Sequence, residues 1–386
     1  MGAPIIELPE FPLTEVYVDK KVEQKLGFVD QAFHYCNHCG HGQIENIIEP
    51  KFLYENSYET RTSTSSSAIG AITIFIDFIN KNLEGKKLKN IVEIGCNDIY
   101  TLERLESRAD KLYGIDPILK GIEENYNNEK ITIIGDYFEN FDLNSLGIDL
   151  DVVISSHTLE HISQPKTMIK NIIDNATEET LIFFQFPGLE GLIGDSRFDQ
   201  IFHQHYNYFS LQSVIYMLDD LDLELIDFNV NLYHWNTLMI AFRKKKTPQI
   251  NINEKYKSYI KQITKSEILS QYKTFRDCMS ATNNRLRYFK NERIYGYGAA
   301  LMLPVLDYHL EDGLSQVKCI LDEDNNKIHK YYLNVPLQVL HPNDIDNIED
   351  CVILVTAFNS LDAIRKIIPK LITLNISKII TPLNLL

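Results

Sequence analysis

The middle of the chain alternates short apolar segments with longer segments of mixed apolar and polar residues. Five such apolar segments occupy residues 89–98, 111–117, 131–138, 151–157 and 180–187. Continuous apolar runs bounded by polar residues are typical of strands buried on both faces of a parallel sheet. The alternation of strand and helix predicts an α/β fold with a doubly wound sheet, in which ligands bind beyond the carboxyl ends of the strands.

The same pattern divides the chain into four regions. Residues 1–68 form a head that carries Cys and His residues, and residues 69–247 carry the alternating strands and helices. Residues 248–290 are a polar connector whose apolar residues recur at helical spacing, which predicts an amphipathic helix between domains. Residues 291–386 show a further strand and helix pattern and predict a C-terminal, Rossmann-like α/β domain.

Composition and charge narrow the classes of function. The 386 residues exceed what one hydrophobic core usually supports, and 44% of them are hydrophobic, as in ordinary globular proteins. The net charge of −15 argues against a nucleic-acid partner. No apolar run reaches the ~20 residues that span a bilayer, and the first residues do not resemble a secretion signal. We therefore expect no membrane partner and a cytoplasmic protein with reduced thiols, and the oligomeric state stays open.

Three consecutive strand ends carry residues suited to an adenosine. Gly95 ends the first strand, where a residue without a Cβ lets a ligand approach the backbone. Asp116 ends the next strand, 21 residues later, where a carboxylate can accept both ribose hydroxyls. Asp136 and Tyr137 follow the third strand and supply a carboxylate and a ring for adenine. Gly95 alone could be a turn residue and Asp116 alone a helix cap, but the three ends together predict a nucleoside site.

The first of these strand ends lacks the glycine-rich turn that cradles a pyrophosphate, which argues against a dinucleotide. Instead, Glu93-Ile94-Gly95 and the later segment from His157 to His161 resemble motifs of class I methyltransferases, with Ile99 in place of a later glycine of the first motif. The resemblance implies S-adenosylmethionine (SAM) as the cofactor. The residues that it implies for SAM binding are Glu93, Gly95, Asn97, Asp116, Asp136, Tyr137 and His157.

A dense cluster of aromatic and imidazole side chains lies between Arg197 and Ser210, after the fifth strand. Its two histidines, His203 and His205, are bracketed by aromatic residues. Two such imidazoles can place one proton acceptor in a dry pocket and fix its orientation with the other. The cluster therefore predicts the site of the chemical step.

This cluster resembles the signature of sugar C-methyltransferases that act on nucleotide-linked keto-deoxysugars, and the resemblance spans nearly the whole chain. In that family a base removes a proton from the carbon next to a ketone, and the enolate attacks the methyl sulfonium in line. The resemblance implies His205 as the base, His161 as a contact to the sugar or its enolate, and Tyr58 as a residue that closes the pocket. His203 is a further catalytic candidate, for which a structural hydrogen bond to the backbone is the favoured alternative.

The resemblance also implies a nucleotide-linked sugar as the partner, with its nucleotide against the C-terminal domain. The residues implied for substrate binding are Gln185, Phe202, Gln204, Tyr208, Gly296, Gly298 and Asn359.

Three of these positions depart from the family pattern. Phe202 stands for a tyrosine, and Gln204 and Gln185 stand for glutamates. A carboxylate beside His205 would raise its basicity, and a phenol could donate to an enolate oxygen, so these changes alter the chemistry. Two reactions fit: C-methylation with a retuned base, which we favour, or O-methylation, which needs no enolate. A non-catalytic binding protein and a nicotinamide-dependent oxidoreductase are the alternatives from other classes.

The head resembles the second zinc-binding pair of that family, through Cys36 and Cys39. Structural zinc is tetrahedral and needs four ligands, and the family's first pair has no counterpart in this sequence. His34, His38 or His41 could complete a site, but their spacing does not require it. A zinc ion is therefore an open alternative with an incomplete ligand set.

Overall fold

The computed structural model describes residues 2–14, 16–22, 26–49, 61–234, 236–246, 254–358 and 361–382. Tyr58 and Asn359, which the resemblance implies as a pocket-closing and a substrate-binding residue, lie outside the described residues. None of the helices in the described ranges is long and apolar enough to cross a bilayer.

The head is a small β-structure. Its strands are β1 (Ile6–Pro12), β2 (Tyr17–Val18), β3 (Phe28–Tyr35) and β4 (Gly42–Ile44).

The second region alternates helices and strands as the apolar pattern predicts. Its first half contains α1 (Ser66–Leu83), β5 (Leu88–Ile94), α2 (Tyr100–Leu105), β6 (Ala109–Ile115), β7 (Ile131–Ile134), β8 (Leu150–Ser156) and α3 (Pro165–Asp174). Its second half contains β9 (Ala176–Pro187), α4 (Leu189–Gly194), β10 (Asn207–Tyr208), α5 (Leu211–Asp220), β11 (Leu223–Asn231) and β12 (Thr237–Lys244).

The rest of the described chain is a helical connector and a second α/β unit. The connector contains α6 (Glu254–Lys257) and α7 (Lys265–Tyr288). The C-terminal unit contains β13 (Ile294–Tyr297), α8 (Leu303–His309), β14 (Val317–Leu321), β15 (Tyr331–Tyr332), β16 (Val339–Leu340), β17 (Val352–Val355), α9 (Leu361–Thr373) and β18 (Lys378–Ile380).

The central sheet has seven strands in the order β11-β12-β9-β8-β5-β6-β7. The five strands from β9 to β7 are parallel, and the β11–β12 hairpin adds two antiparallel strands at one edge. Val152, Val153 and Ile154 of β8 are fully buried, because apolar side chains cover both faces of the sheet. This arrangement confirms the predicted doubly wound fold and brings the carboxyl ends of β5, β6 and β8 side by side.

The C-terminal unit has a five-stranded parallel sheet in the order β16-β14-β13-β17-β18. Its first two strands, β13 and β14, pair in parallel as β5 and β6 do. The predicted Rossmann-like strand pattern of this region therefore occurs in the structure.

The head is joined to both α/β units through strand pairing. β4 pairs with β10 of the second region, which completes a four-stranded sheet in the order β1-β3-β4-β10. β2 pairs with β15 of the C-terminal unit. The sequence pattern placed a boundary at residue 68, but it contained no sign of these two pairings.

Candidate cofactor and acceptor site

A cavity of about 390 Å³ opens at the carboxyl ends of β5, β6 and β8. This is the edge of the sheet where a doubly wound fold binds its ligands. The wall also includes the start of α1, the loop before β10, the β11–β12 hairpin and Leu301 of the C-terminal unit. The cavity thus joins residues that are far apart in the sequence.

The loop after β5 approaches the cavity through Gly95. This glycine has φ +76°, and a Cβ added to it would clash with Oγ1 of Thr158. Asn97 and Ile99 also adopt left-handed backbone conformations, with φ 48° and 61°. Ile99 therefore keeps the backbone conformation that a glycine would adopt at this position, although a β-branched residue is strained there.

Asp116 ties this loop to the end of β6. Its carboxylate accepts hydrogen bonds from the backbone N–H of Asn97 at 2.8 Å and of Ile118 at 3.0 Å. Burial raises the pKa of the Asp116 carboxyl to about 6. Since Asp116 also lines the cavity, it is placed to accept the ribose hydroxyls of an adenosine.

Glu93 lines the same cavity from β5 and is only 1% exposed. Its Oε2 has no hydrogen-bond partner among the described residues. Burial raises the pKa of the Glu93 carboxyl to about 8. A buried acceptor without a donor is costly, and the cationic amino group of SAM would supply one. Glu93, Gly95 and Asp116 therefore fit this cofactor.

The remaining residues predicted to bind the cofactor divide into two groups. Tyr137 and His157 line the cavity, and His157 does so with a left-handed φ of 52°. Asp136 is not part of the cavity wall, and its carboxylate accepts the backbone N–H of Tyr137 at 2.9 Å. The structure therefore places Asp136 where it shapes the turn after β7.

Four imidazole rings line the cavity: His157, His161, His205 and His234. The ring centroids of His161 and His205 lie 5.0 Å apart, and those of His157 and His234 lie 5.1 Å apart. Burial, followed by the other three imidazoles, holds the pKa of His205 well below its usual value. His205 is therefore neutral at pH 7 and able to accept a proton.

His161 has a defined tautomer in this cluster. Its Nδ1 lies 2.6 Å from the carbonyl oxygen of Gln204, which can only accept, so Nδ1 carries the proton. Burial also lowers the pKa of His161. The neutral ring therefore presents Nε2 as an acceptor.

The positions that depart from the family pattern lie in and behind the cavity wall. Phe202 and Gln204 line it, and the ring of Phe202 lies 4.3 Å from that of His205. Gln185 is behind the wall, where its Nε2 donates to Oγ of Ser156 at 2.7 Å. Tyr208 lies outside the cavity wall, and its hydroxyl accepts the backbone N–H of Phe202 at 3.1 Å.

His203 is fully buried outside the cavity wall. Its Nδ1 pairs with Nε2 of Gln31 at 3.2 Å, and its Nε2 lies 3.2 Å from the carbonyl oxygen of Phe11. Both ring nitrogens thus contact residues of the head, so neither is available to a methyl-accepting substrate. The structure does not bring His203 to the reaction site, and it corresponds to the structural alternative.

The two glycines assigned to the substrate shape the C-terminal unit. Gly298 has φ +101°, and a Cβ on Gly296 would meet Cδ1 of Ile320 at 2.6 Å. Neither glycine lines the cavity, but Leu301, three residues beyond Gly298, does. The glycine loop therefore reaches the cavity through its far end.

The cysteine pair of the head does not form a metal site with other described residues. Among these residues, the one group of three or more His, Cys, Asp or Glu side chains with convergent ligand atoms contains Glu160, His161 and His205. His41 binds Oδ1 of Asn207 at 3.1 Å instead. The zinc alternative therefore has no support in the described head.

The wall residues that the sequence reasoning missed include Glu160, His234 and Leu301. Glu160 lies within the segment from His157 to His161 that resembles a methyltransferase motif, so the sequence contained a signal for it. His234 comes from the β11–β12 hairpin and Leu301 from another domain, and no local pattern links either to the cavity.

Comparison with known proteins agrees with the fold of the second region. Residues 70–227 match the family model described as a methyltransferase domain. A curated relative, the C-methyltransferase NovU of Streptomyces niveus, is 22% identical over 207 residues, which cover 53% of this chain and 49% of NovU. The chain thus spans about half the length of this relative.

Solved structures that resemble the chain are also methyltransferases. The N-methyltransferase NodS of Bradyrhizobium japonicum, bound to S-adenosylhomocysteine, is 16% identical, with a TM-score of 0.36 over 45% of this chain and 87% of NodS. An S-adenosylmethionine-dependent methyltransferase of Clostridium acetobutylicum is 11% identical, with a TM-score of 0.36 over 45% of this chain and 91% of that protein.

The family match covers the five parallel strands of the sheet, β5 to β9, together with Glu93 on β5 and the loops that hold Gly95 and Asp116. The order of these strands places the cofactor residues at the same sheet edge as the imidazole cluster. Residues 70–227 therefore match a methyltransferase domain, and the sheet that contains them has the class I α/β fold.

Proposed function

We propose that the protein transfers a methyl group from SAM to a nucleotide-linked keto-deoxysugar, at the carbon next to the ketone. The observation that carries this proposal is one continuous cavity. The cofactor residues Glu93, Gly95 and Asp116 line it together with the proton-accepting His205. A methyl donor and an acceptor that must lose a proton would meet in this space.

The chemistry follows from the side chains of the cavity. Neutral His205 takes the proton from the acceptor carbon, and the electron pair left behind forms a bond to the methyl carbon of SAM. SAM, held by Glu93, Gly95 and Asp116, would supply the methyl group when its bond to sulfur breaks, with S-adenosylhomocysteine as the product. Gln204 lines the cavity, and its side-chain amide would be a donor for the enolate oxygen.

The C-terminal unit would hold the nucleotide part of the substrate. Leu301 connects the cavity to the loop after β13, so a sugar near His205 could extend toward that domain. The resemblance of the chain to a C-methyltransferase supports the choice of carbon as the methylated atom.

A second candidate is O-methylation of a sugar hydroxyl. His161 favours it, because its proton is on Nδ1 and its Nε2 can accept from a hydroxyl but cannot donate to an enolate. Phe202 also offers no phenol for an enolate oxygen.

Mass spectrometry of the full chain with SAM and a panel of nucleotide-linked keto- and hydroxy-sugars tests both candidates. We expect one methyl gain on keto-sugars, with solvent deuterium exchange at the neighbouring carbon. A gain on sugars without a ketone would select O-methylation. No gain on any sugar, with a ligand still bound, would select the non-catalytic binding protein.

A further inference from the structure

Glu160 is a buried carboxylate in the wall of the cavity. It belongs to the short 3₁₀ turn Leu159–His161 and is 1% exposed. Its Oε1 lies 3.2 Å from Nδ1 of His157 and 4.0 Å from Nε2 of His161. Its Oε2 has no hydrogen-bond partner among the described residues. Taking a carboxylate out of water with so few donors is costly, which calls for a compensating charge nearby.

The site around Glu160 consists of imidazoles. A carboxylate oxygen of Glu160, one ring nitrogen of His161 and one ring nitrogen of His205 all lie within 4.8 Å of one another. Besides Glu160, the titratable groups near His205 are His161 and His157 from the loop after β8 and His234 from the β11–β12 hairpin. All three are imidazoles, and a proton placed on His205 would be disfavoured by each of them when charged.

The sequence shows no carboxylate beside the base, because Gln204 stands where the family has a glutamate. The structure brings one there from a different element. We propose that Glu160 is the positioning residue that stabilises the imidazolium formed when His205 takes the proton of the acceptor. This inference rests on the proposed function, and it identifies Glu160 as the charge that stabilises the protonated form of the proposed base.

The proton balance of this step is simple. The bond from the acceptor atom to hydrogen breaks, and a bond from that hydrogen to a ring nitrogen of His205 forms. The positive charge on His205 is then offset by the negative charge of Glu160, and the hydrogen bond to the Gln204 carbonyl fixes the ring of His161 beside both. After the methyl transfer, His205 returns the proton to water.

The same three side chains are close enough to bind a divalent cation, so the experiment must separate the two roles. A cation would occupy the ring nitrogen that the proposed base uses. Metal analysis of the purified full chain, followed by assay with and without a chelator, distinguishes them. We expect no stoichiometric metal and no effect of the chelator; a bound metal that the Glu160→Gln variant loses would overturn the proposal.

The kinetic test compares Glu160→Gln, Glu160→Asp and His205→Asn with the double variant Glu160→Gln/His205→Asn. Glu160→Gln keeps the shape of the side chain and removes its charge. We expect kcat to fall about 10- to 100-fold, with the KM for SAM unchanged, because a general base contributes ~10²–10⁴-fold and its charge partner only part of that. The double variant should be no slower than His205→Asn alone, since Glu160 acts through His205.

The pH profile gives a readout that a purely structural role would not change. Removing a carboxylate lowers the pKa of a neighbouring imidazolium, so the acidic limb of kcat should move to lower pH in Glu160→Gln and return in Glu160→Asp. Glu190→Gln is the matched control, because it removes a shielded carboxylate outside the cavity and keeps an oxygen for the Leu211 N–H.

Three results would overturn the inference: an unchanged kcat in Glu160→Gln, an additive loss in the double variant, or an equal loss in Glu190→Gln. Failure of the proposed function would be seen in a different experiment, because the wild-type protein would then methylate no sugar. In that case ¹⁵N chemical shifts of His205 still test the charge pairing, because Glu160→Gln should shift its protonation to lower pH without any substrate. An unshifted titration would reject it.

Discussion

The two α/β units of the molecule use the same local arrangement at their first strand end, yet only one has the features of a cofactor site. Gly95 after β5 and Gly298 after β13 both have a left-handed φ. Their N–H groups donate to the last carbonyl of the next strand, Ile115 or Leu321, at 2.8 Å in each case.

The acids of the two units also match. Asp116 accepts the loop N–H of Asn97 at 2.8 Å, and Asp322 accepts that of Ala299 at 2.6 Å. Each also accepts an N–H two residues further along its own chain, at 3.0 Å for Asp116 and 2.9 Å for Asp322. A glycine and an acid at adjacent strand ends thus produce the same loop hydrogen-bond pattern in both units.

What packs on each loop differs. The Ala299 carbonyl of the C-terminal loop accepts the hydroxyl of Tyr17 at 3.1 Å and Nζ of Lys327 at 3.0 Å. Tyr332 donates to the next carbonyl at 3.0 Å. The loop after β5 instead borders the cavity, where burial raises the pKa of Asp116. The same loop pattern therefore borders a cavity in one unit and packed side chains in the other.

The largest effect should come from the proposed base. His205→Asn removes the proton acceptor, and we expect kcat to fall by ~10²–10⁴-fold while affinity for S-adenosylhomocysteine stays the same. Steady-state kinetics and calorimetry measure the two quantities. Turnover at the wild-type rate would show that His205 is not the base.

The acids offer the most direct test of the comparison. Asp116→Asn should weaken S-adenosylhomocysteine binding by about 10- to 100-fold, because charge-assisted hydrogen bonds to the ribose are worth ~1.5–3 kcal/mol. Asp322→Asn is the matched change in the other unit and should leave that affinity unaltered. Equal losses, measured by calorimetry, would mean that the C-terminal unit also binds the cofactor.

The glycines should separate backbone strain from cofactor binding. Gly95→Ala and Gly298→Ala both force a side chain into a left-handed conformation and a close contact, so each should lower the free energy of unfolding by more than the ~1–2 kcal/mol of the conformation alone. Gly121→Ala measures the cost of the left-handed conformation alone, because Gly121 has φ +83° and its added Cβ meets no atom within 4 Å. Of the two, only Gly95→Ala should also weaken cofactor binding; denaturant unfolding and calorimetry check both.

The last prediction concerns the pH dependence of stability, whose effect per pH unit is the smallest. The pKa of Glu93 is raised from 4.5 to about 8 in the folded protein, so between these values the unfolded chain is ionised while the folded one stays protonated. Stability of the cofactor-free protein therefore falls as pH rises through this window, by up to ~1.4 kcal/mol per pH unit from this group. Glu93→Gln should flatten the fall between pH 6.5 and 8 in urea unfolding; an unchanged slope would show that Glu93 ionises normally.

The sequence alone determined the central sheet and its cofactor end. Apolar runs such as residues 151–157 report burial locally, and parallel strands place their carboxyl ends together, so Gly95 and Asp116 were predictable as neighbours. The imidazole cluster was only half predictable. His203 and His205 are two residues apart, but one binds Gln31 of the head and the other lines the cavity.

The tertiary structure decided the rest of the site. The carboxylate near His205 comes from Glu160, one imidazole comes from His234 in a distant hairpin, and Leu301 reaches the cavity from another domain. The strand pairs β4–β10 and β2–β15 tie the head to both α/β units. Hydrophobic periodicity records which face of an element is buried, but not what buries it, and these contacts join elements far apart in the chain.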